Sequence, residues 1–368
     1  MTTPSQPSLA SLHVGIAGAG LVGRTLAWRL LRMGYRVSLF DKDHRSAQSS
    51  ASMVAAAMLS PLAELAVSDT VVFTLGQRSM QLWPKWIDEL HADNPAPSGT
   101  PTYFRQQGTL VVAHGPDKSS LDHFTRLLRH KLPAGHQDLV KTLNSASLSA
   151  LEPALSGRFS EGLHLQGEGQ LANDQWMAAL AQELTRLGVI WHEGVAVDRL
   201  QANRIHAGRT HWDIDIAVDA RGVGSKSDLP ALRGVRGEVL RVECRGVTLQ
   251  RPVRLMHPRY QLYVAPRPDH MFVVGATELE SEDTGEVTLR SMLELGSALY
   301  SLHPAFGEAR VTSLQAALRP ALDNDRPTCT LRDGVWHING LYRHGYLCAP
   351  ALVESLIEKM EEQSTCTI

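Results

Sequence analysis

The sequence has few cysteines, almost no net charge and no long apolar run. Its 368 residues include four scattered cysteines and no Cys-x-x-Cys pair, which favours reduced thiols over a disulfide framework or a zinc site; we predict no metal site. The 36 basic and 38 acidic residues leave a net charge of -2, which argues against a nucleic-acid partner because such proteins present a clearly basic face. No stretch approaches the ~20 apolar residues that span a membrane.

We expect no targeting segment in the first residues of the sequence. Met1–Ala10 has neither the positive region nor the apolar stretch of a signal peptide, so we expect a cytoplasmic protein that begins with a flexible leader. The length allows two domains. The content of 43% hydrophobic and 20% charged residues is typical of a globular protein.

The most informative feature present is a glycine-rich turn that follows a short apolar strand, Leu12–Ala17. The turn reads Gly-x-Gly-x-x-Gly, with its glycines at Gly18, Gly20 and Gly23. In a dinucleotide site the first glycine allows the tight turn, the second lets backbone approach a pyrophosphate, and the third lets the following helix pack on the strand. The triplet alone is a weak signal, since glycine is common.

The residues around this turn strengthen the dinucleotide interpretation. The helix predicted over Leu21–Met33 would present free N–H groups and a favourable dipole to phosphates. A second strand, Arg36–Phe40, ends at Asp41, about 20 residues after the glycines, where a carboxylate would hold ribose hydroxyls. An ordinary βαβ unit is the alternative, and the position of Asp41 argues against it. Besides the glycines, the predicted contacts are Ala19, Leu21, Val22, Asp41 and Lys42.

Two further stretches of small residues could approach a flat ligand. Ala51–Pro61 is rich in alanine, and a helix packing face explains it equally well. Ile214–Gly224 is a buried strand that runs into glycines, where the chain of a two-lobed nucleotide protein returns to the cofactor; without the first motif, a plain strand and loop would be preferred. The contacts predicted from these stretches are Ala55, Ala56, Met58 and Gly222.

The remaining pattern predicts a mixture of helices and strands. From Arg236 onward, short strands separated by turns indicate a mostly antiparallel sheet. Pro350 is predicted to open the last helix, at a position where its missing N–H costs nothing. Apolar periodicity predicts helices over Val71–Leu90, Lys118–His130, Trp176–Leu187 and Val287–Leu302.

Three separated stretches resemble the flavin-dependent amino-acid oxidases, a family that includes D-amino-acid oxidase, sarcosine oxidase and glycine oxidase. The stretches are Gly18–Gly23 with Asp41, Ala51–Pro61 and Ala317–Pro350. Within the family, the glycine oxidases of thiamin (thiazole) synthesis are the most similar. That similarity is carried by Ala55–Pro61, by Leu262–Arg267 with Val273–Glu278, and by Leu318–Pro320 with Gly340–Pro350.

The resemblance implies an α/β fold in which a Rossmann-like FAD-binding domain is interleaved with a smaller α+β substrate domain built on a mostly antiparallel sheet. The FAD-binding domain would comprise residues 1–90, 150–230 and 320–368, and the substrate domain residues 91–149 and 231–319. FAD would be non-covalent, since no cysteine stands where sarcosine oxidases attach flavin. The chain departs from the family pattern at Thr328–Thr330, where Ile-Gly is usual, and at Arg221, where a small residue is usual.

The resemblance also implies a substrate site. Arg319 and Arg343 match the two family positions that hold the substrate carboxylate, a task that suits the planar, permanently charged guanidinium group; surface ion pairs are the commoner role of arginine. Tyr263 matches the family tyrosine near that carboxylate, and an ordinary half-buried strand aromatic is its alternative. The last helix would stabilise negative charge on reduced flavin with its N-terminal N–H groups. The flavin contacts implied here are His344, Gly345, Tyr346 and Leu347.

Together these features predict oxidation of glycine and other small amines to the imine, with O2 reduced to hydrogen peroxide. A D-amino-acid or sarcosine-type dehydrogenase that passes electrons to a quinone, and a non-catalytic FAD-binding protein, stay open. We expect a small amino acid and O2 as partners and neither nucleic acid nor membrane. A homo-oligomer and a contact with thiazole synthase are further possibilities. No catalytic base is assigned, because His344, the nearest candidate, is better explained as a structural histidine.

Overall fold

The computed structural model describes residues 12–46, 50–93, 101–257 and 262–366. Its helices are α1 (Leu21–Arg32), α2 (Ala51–Val54), α3 (Pro61–Leu65), α4 (Thr70–Asp93), α5 (Lys118–Lys131), α6 (Ser145–Leu151), α7 (Asn173–Arg186), α8 (Leu289–Leu302) and α9 (Gly345–Cys366). Its strands are β1 (His13–Ala17), β2 (Arg36–Asp41), β3 (Met58–Leu59), β4 (Phe104–Arg105), β5 (Thr109–Ala113), β6 (Val140–Asn144), β7 (Glu161–Leu165), β8 (Gly169–Leu171), β9 (Ile190–Glu193), β10 (Arg199–Gln201), β11 (Arg204–Ala207), β12 (Thr210–Asp213), β13 (Ile216–Asp219), β14 (Arg233–Glu243), β15 (Val253–Met256), β16 (Leu262–Pro266), β17 (Met271–Gly275), β18 (Arg310–Ala321), β19 (Thr328–Arg332) and β20 (Val335–Asn339).

The first sheet has six strands in the order β19-β20-β13-β1-β2-β9. β1 pairs in parallel with β2 and β13, and β2 pairs in parallel with β9. Helices α1 and α9 pack beside this sheet, and α4 and α7 pack on these helices. The core that they share contains an edge-to-face cluster of Trp28, Trp83, Trp86 and Trp176. Because its faces are covered, β1 is almost entirely apolar and buried. The predicted Rossmann-like unit is therefore present.

The second sheet has eight strands in the order β18-β14-β17-β16-β15-β5-β7-β6. Only the β15–β5 pair is parallel, so the predicted antiparallel character is confirmed. Its longest ladder joins β14 to β18, from Arg233 opposite Ala321 to Glu243 opposite Arg310. β7 lies within the stretch 150–230 that we assigned to the FAD-binding domain, yet it pairs with β5 and β6 of this sheet. The strand Glu161–Leu165 therefore belongs to the second sheet, although the expected boundaries place it in the FAD-binding domain.

The helices predicted from apolar periodicity are present, but the start of the last helix differs from the prediction. Helix α9 begins at Gly345, and Pro350 lies inside it. A proline at this position leaves the carbonyl four residues earlier, that of Tyr346, without its helical N–H donor. The indole Nε1 of Trp83 donates to this carbonyl at 3.0 Å instead. The Trp83 side chain from α4 therefore satisfies the carbonyl that the proline leaves without a donor, so the proline is tolerated inside the helix. Within the described ranges, no helix is long and apolar enough to cross a bilayer.

Candidate active site

A cavity of about 1230 Å³ lies where the carboxyl ends of β1, β2 and β13 face the second sheet. Ligands of doubly wound proteins bind at this edge of the sheet. The volume exceeds the roughly 300–1,000 Å³ of a site for one drug-sized ligand, which suits a large cofactor together with a small substrate. All the predicted site residues except Ala19 and Gly23 line this cavity.

The three glycines of the first turn have different surroundings. Gly18 has a φ of +100°, and a Cβ there would lie 2.4 Å from the carbonyl oxygen of Ala220. A Cβ on Gly23 would lie 1.8 Å from the carbonyl oxygen of Gly18. A Cβ on Gly20 would meet only Ser52 Oγ, at 3.9 Å. Gly18 and Gly23 are therefore needed by the fold itself, whereas Gly20 leaves space on the cavity side, as backbone approach to a pyrophosphate requires.

The carboxylate of Asp41 is hydrogen-bonded to the backbone of this turn. Oδ2 accepts the N–H of Ala19 at 2.6 Å, and Oδ1 accepts the N–H of Asp43 at 2.9 Å. Each carboxylate oxygen can accept a second hydrogen bond, and Asp41 and Lys42 both line the cavity. Asp41 is thus positioned to accept ribose hydroxyls, and the turn with its glycines fits the adenosine diphosphate part of FAD.

The small-residue stretch does not form one packing helix. Helix α2 ends at Val54, Ala55 is extended, and Ala57 has a φ of +47°. Ala55, Ala56 and Met58 line the cavity, although Val54 and Ala56 also contribute to a small apolar cluster. The structure therefore combines the two alternatives, because the turn exposes backbone to the cavity while some of its side chains pack.

Arg221, one of the departures from the family pattern, lines the cavity beside Gly222. Its guanidinium pairs with Asp219 at 2.8 Å and donates to the Val197 carbonyl at 3.0 Å. Gly222 has a φ of +57°, and its carbonyl accepts the side-chain amide of Asn339 at 2.9 Å. The larger residue thus anchors the loop through Asp219 and Val197, and Gly222 next to it also lines the cavity.

The wall after Arg343 is formed by the start of α9. Gly345, Tyr346 and Leu347 line the cavity, so the positive end of the helix dipole lies beside it and can stabilise an anionic ligand. His344 is buried, with Nε2 at 3.3 Å from Ser68 Oγ. Burial lowers the pKa of His344 to about 4, so this imidazole is neutral at neutral pH.

The two arginines expected to hold a carboxylate differ in their partners. Arg319 donates from Nη1 to the Thr277 carbonyl at 3.0 Å, and none of the described carboxylates lies within ion-pair distance of it. Arg343 pairs through Nε with Glu64 at 3.0 Å and through Nη1 with Glu278 at 2.9 Å. Arg319 therefore offers an uncompensated positive charge, whereas the charge of Arg343 is already balanced.

Glycines also determine where two of these side chains lie. A Cβ on Gly237 would be 2.2 Å from Cζ of Arg319, and a Cβ on Gly275 would be 2.7 Å from the hydroxyl oxygen of Tyr263. Each functional group therefore lies directly against the backbone of a neighbouring strand. Burial raises the pKa of Tyr263, which keeps its hydroxyl protonated and able to donate to an anion.

Sequence reasoning missed Glu64, which connects several of these groups. Oε1 accepts Arg254 Nη2 at 2.8 Å, while Oε2 lies 3.0 Å from Arg343 Nε and 3.4 Å from His344 Nδ1. Burial acts to raise the pKa of Glu64, but Arg343 and Arg254 hold it well below its usual range. The available signal was a charged residue within an apolar stretch: Glu64 within 62–66 and Arg254 within 253–256.

Residues 13–358 match the family of FAD dependent oxidoreductases called DAO. The chain belongs to this family. It is 38% identical over 349 residues to the protein of Rhizobium etli that carries the name thiamine biosynthesis oxidoreductase ThiO, a match that covers 95% of this chain and 96% of that protein. It is 24% identical over 362 residues to the bifunctional protein ThiO/ThiG of Trichormus variabilis, covering 95% of this chain and 53% of that one.

The fold is also that of known structures. The crystal structure of glycine oxidase from Geobacillus kaustophilus superposes with a TM-score of 0.82 at 21% identity, covering 96% of this chain and 95% of the other. The expectations of fold, FAD as cofactor and an FAD-dependent enzyme are therefore confirmed. When bound, FAD supplies the acceptor for two electrons.

Proposed function

We propose that this protein oxidises glycine and other small amino acids to the imine and that O2 then takes the electrons and becomes hydrogen peroxide. The observation that carries the proposal is Arg319, a cavity-lining guanidinium without a carboxylate partner among the described residues. A guanidinium grips a carboxylate bidentately. An amino acid bound in this way would present its α-carbon within the same cavity.

The charges at this end of the cavity favour a substrate with one carboxylate. Arg254 and Arg343 are offset by Glu64 and Glu278, which leaves the single positive charge of Arg319. The protonated hydroxyl of Tyr263 supplies a further donor for the same anion. The ion-paired side chains of Arg254, Arg343, Glu64 and Glu278 form part of the cavity wall. Arg319, which has no carboxylate partner among the described residues, binds the substrate.

The remaining roles are assigned to the residues that surround the cofactor. We propose that Gly20 and the start of α1 contact the pyrophosphate, that Asp41 holds the ribose, and that the start of α9 lies beside the flavin. Residues 1–90, 150–230 and 320–368 would form the FAD-binding domain and the rest the substrate domain, apart from β7, which pairs with the second sheet.

The names of the relatives support a place in thiamin synthesis. A relative that matches nearly the full chain is named for thiamine biosynthesis, and relatives at 24% identity include a glycine oxidase and a fused ThiO/ThiG protein. The fusion supports our proposal that the separate chain contacts thiazole synthase. A small amino acid is the substrate that agrees with these names and with the charge of the cavity.

Anaerobic mixing of the FAD-loaded protein with a panel of amino acids tests the proposal. Glycine and sarcosine should bleach the oxidised flavin spectrum, and admission of O2 should restore it with stoichiometric peroxide. Bleaching that persists under O2 and reverses with a quinone would identify a dehydrogenase instead. A flavin spectrum unchanged by every amino acid would reject an amino-acid-oxidising enzyme.

A further inference from the structure

Two arginines contact the small-residue turn that follows α2 without lining the cavity. Arg241 belongs to β14 and Arg267 follows β16, and both are partly buried. Within the described ranges, no carboxylate lies within ion-pair distance of either guanidinium. Burial and, after it, the charge of Arg241 lower the pKa of Arg267 to about 10, so Arg267 is still charged at neutral pH. Two neighbouring charges without an ion-pair partner are costly away from water, and the proposed function gives them no role.

Both guanidinium groups bind backbone carbonyls of this turn. Arg267 donates from Nη2 to the carbonyl of Ala56, and its Nη1 donates to Gln170 Oε1 at 2.6 Å. Arg241 donates from Nη2 to the carbonyl of Met53 at 3.2 Å. Arg267 therefore joins β8 to the turn with both arms of its planar fork, a geometry that a lysine cannot reproduce.

The hydrogen bond from Arg267 determines where the next backbone N–H points. The peptide that joins Ala56 to Ala57 is trans, so its N–H lies on the opposite side from its carbonyl. The carbonyl is directed to Arg267, which does not line the cavity, whereas Ala56 and Ala57 both do. No acceptor for the Ala57 N–H lies within hydrogen-bond distance in the part of the chain that the structure describes. The Ala57 N–H is therefore a free donor on the cavity side of the turn.

This part of the wall lies at the substrate end of the cavity. Tyr263 packs against the small apolar cluster that contains Ala56. The hydroxyl of Tyr346, at the start of α9, donates to the Ser52 carbonyl at 2.9 Å, which joins the turn to the helix end that we place beside the flavin. Because the ring that takes the electrons must adjoin the substrate, we expect the flavin ring to lie next to this turn.

Reduction adds negative charge to the flavin ring. A hydrogen-bond donor and a positive charge beside the ring stabilise the reduced form more than the oxidised form, which raises the reduction potential. A peptide N–H also becomes a stronger donor when a charged group binds the carbonyl of the same peptide, since hydrogen bonds in a chain polarise one another.

We propose that Arg267 raises the reduction potential of bound FAD by holding the Ala56–Ala57 peptide with its N–H toward the ring, and that Arg241 adds positive charge behind the same turn. Arg267 acts through this peptide, so it is a positioning residue. The opposing charge that acts on both arginines is that of Asp174, which is exposed and therefore screened by solvent. The inference rests on the placement of the flavin in the proposed function and not on the identity of the substrate.

The reduction potential of the FAD-loaded protein, measured without any amino acid, tests the inference. Dithionite supplies the electrons, and a dye of known potential reports the equilibrium. In Arg267→Met the balance should shift toward oxidised flavin at least about tenfold, which is a fall of about 30 mV for two electrons. Arg267→Lys should show a smaller fall, because it keeps the charge but cannot donate to Ala56 and Gln170 together.

Arg158→Met is the matched control. Arg158 is also partly buried and donates to two backbone carbonyls, those of Leu302 and Ser301, but it does not line the cavity or contact the turn. This variant should keep the wild-type potential. A fall of equal size in Arg158→Met and Arg267→Met overturns the inference.

Titration of apoprotein with oxidised and with reduced FAD separates the proposed role from a purely structural one. We expect Arg267→Met to weaken the binding of reduced FAD at least about tenfold more than that of oxidised FAD. Equal weakening of both forms, which leaves the potential unchanged, overturns the inference. If Arg267→Met does not fold or does not hold FAD, Arg267→Lys decides, and a wild-type potential in that variant overturns the inference. Because no amino acid is used, a protein that fails to oxidise glycine can still show these shifts, so the proposed function and this inference fail separately.

Discussion

The substitution Gly237→Ala tests the position of Arg319, the arginine proposed to bind the substrate, without changing that residue. Gly237 lies in β14 opposite Ala317, and its added Cβ would be 2.2 Å from both Cζ and Nη2 of Arg319. Ordinary van der Waals contact begins at 3.4 Å, so the guanidinium must move by about 1.2 Å. Because the group that moves is the flexible end of a long side chain, the strand itself is not expected to distort, and we expect little change in stability.

The expected loss follows from that displacement. A misplacement of ~1 Å in a positioning group can cost about 10²-fold in rate, and complete loss of a buried charged partner costs ~2–5 kcal/mol. We therefore expect the kcat/KM for glycine to fall about a hundredfold while FAD affinity is unchanged. Gly296→Ala in α8 is the control, since a Cβ there meets nothing within 4 Å; it should behave as the wild type.

Stopped-flow measurement of flavin reduction under anaerobic conditions is the assay. The double variant Gly237→Ala/Arg319→Ala should be no slower than Arg319→Ala alone, because both changes remove the same interaction. If Gly237→Ala reduces flavin with glycine as fast as the wild type, Arg319 does not hold the substrate from the position seen here. If the losses in kcat/KM caused by Gly237→Ala and by Arg319→Ala add fully in the double variant, Gly237→Ala does not act through Arg319, which would also refute the reasoning.

Three further predictions concern the cofactor and stability. Gly20→Val should yield colourless apoprotein, because the side chain would enter the space that Gly20 leaves open; a yellow variant with unchanged FAD content contradicts this. Asp41→Ala should weaken FAD by roughly ten- to a hundredfold, the equivalent of ~1.5–3 kcal/mol for charged hydrogen bonds; equilibrium titration of apoprotein measures it, and an equal dissociation constant rejects the ribose role. Glu168 has a folded pKa of about 7 against an ordinary 4.5, so the wild type should lose up to ~3 kcal/mol of unfolding free energy as the pH rises from 4.5 to 7. Glu168→Gln should lack this loss. A difference in Tm between the wild type and Glu168→Gln that stays constant from pH 4.5 to pH 7 would contradict the account.

The cofactor end of the site could be predicted from sequence because its determinants are local. Gly18, Gly20 and Gly23 lie within six residues, and the carboxylate of Asp41 is placed by one βαβ unit. The motif also distinguishes their roles correctly in steric terms, since side chains on Gly18 and Gly23 collide with backbone whereas one on Gly20 does not. Structural features that depend on residues close together in the sequence can therefore be predicted from the sequence.

The substrate end depends on contacts between distant parts of the chain, and there the sequence was less informative. Resemblance placed Arg319 and Arg343 at one cavity, but it could not show that Arg343 is balanced by two carboxylates. The pair Glu64–Arg254 joins residues 190 positions apart, beyond the reach of any local pattern.

The proline in α9 was misjudged for the same reason. The prediction counted only the helix's own hydrogen bonds and therefore confined Pro350 to the helix start. The compensating donor, the Trp83 indole, comes from a residue 263 positions away from Tyr346 in the sequence. Helix α4, predicted to end at Leu90, continues to Asp93.

The central claim is that Arg319 binds the carboxylate of a small amino acid. It is tested most directly by anaerobic flavin reduction in the wild type, Arg319→Lys and Arg319→Ala with glycine, sarcosine and an amine that has no carboxylate. Lysine keeps the charge but loses the bidentate geometry, so Arg319→Lys should raise the apparent KM for glycine with the flavin spectrum intact. Arg319→Ala should lose ~2–5 kcal/mol in kcat/KM for glycine and almost nothing for the amine. Reduction of Arg319→Ala by glycine as readily as the wild type would contradict the account.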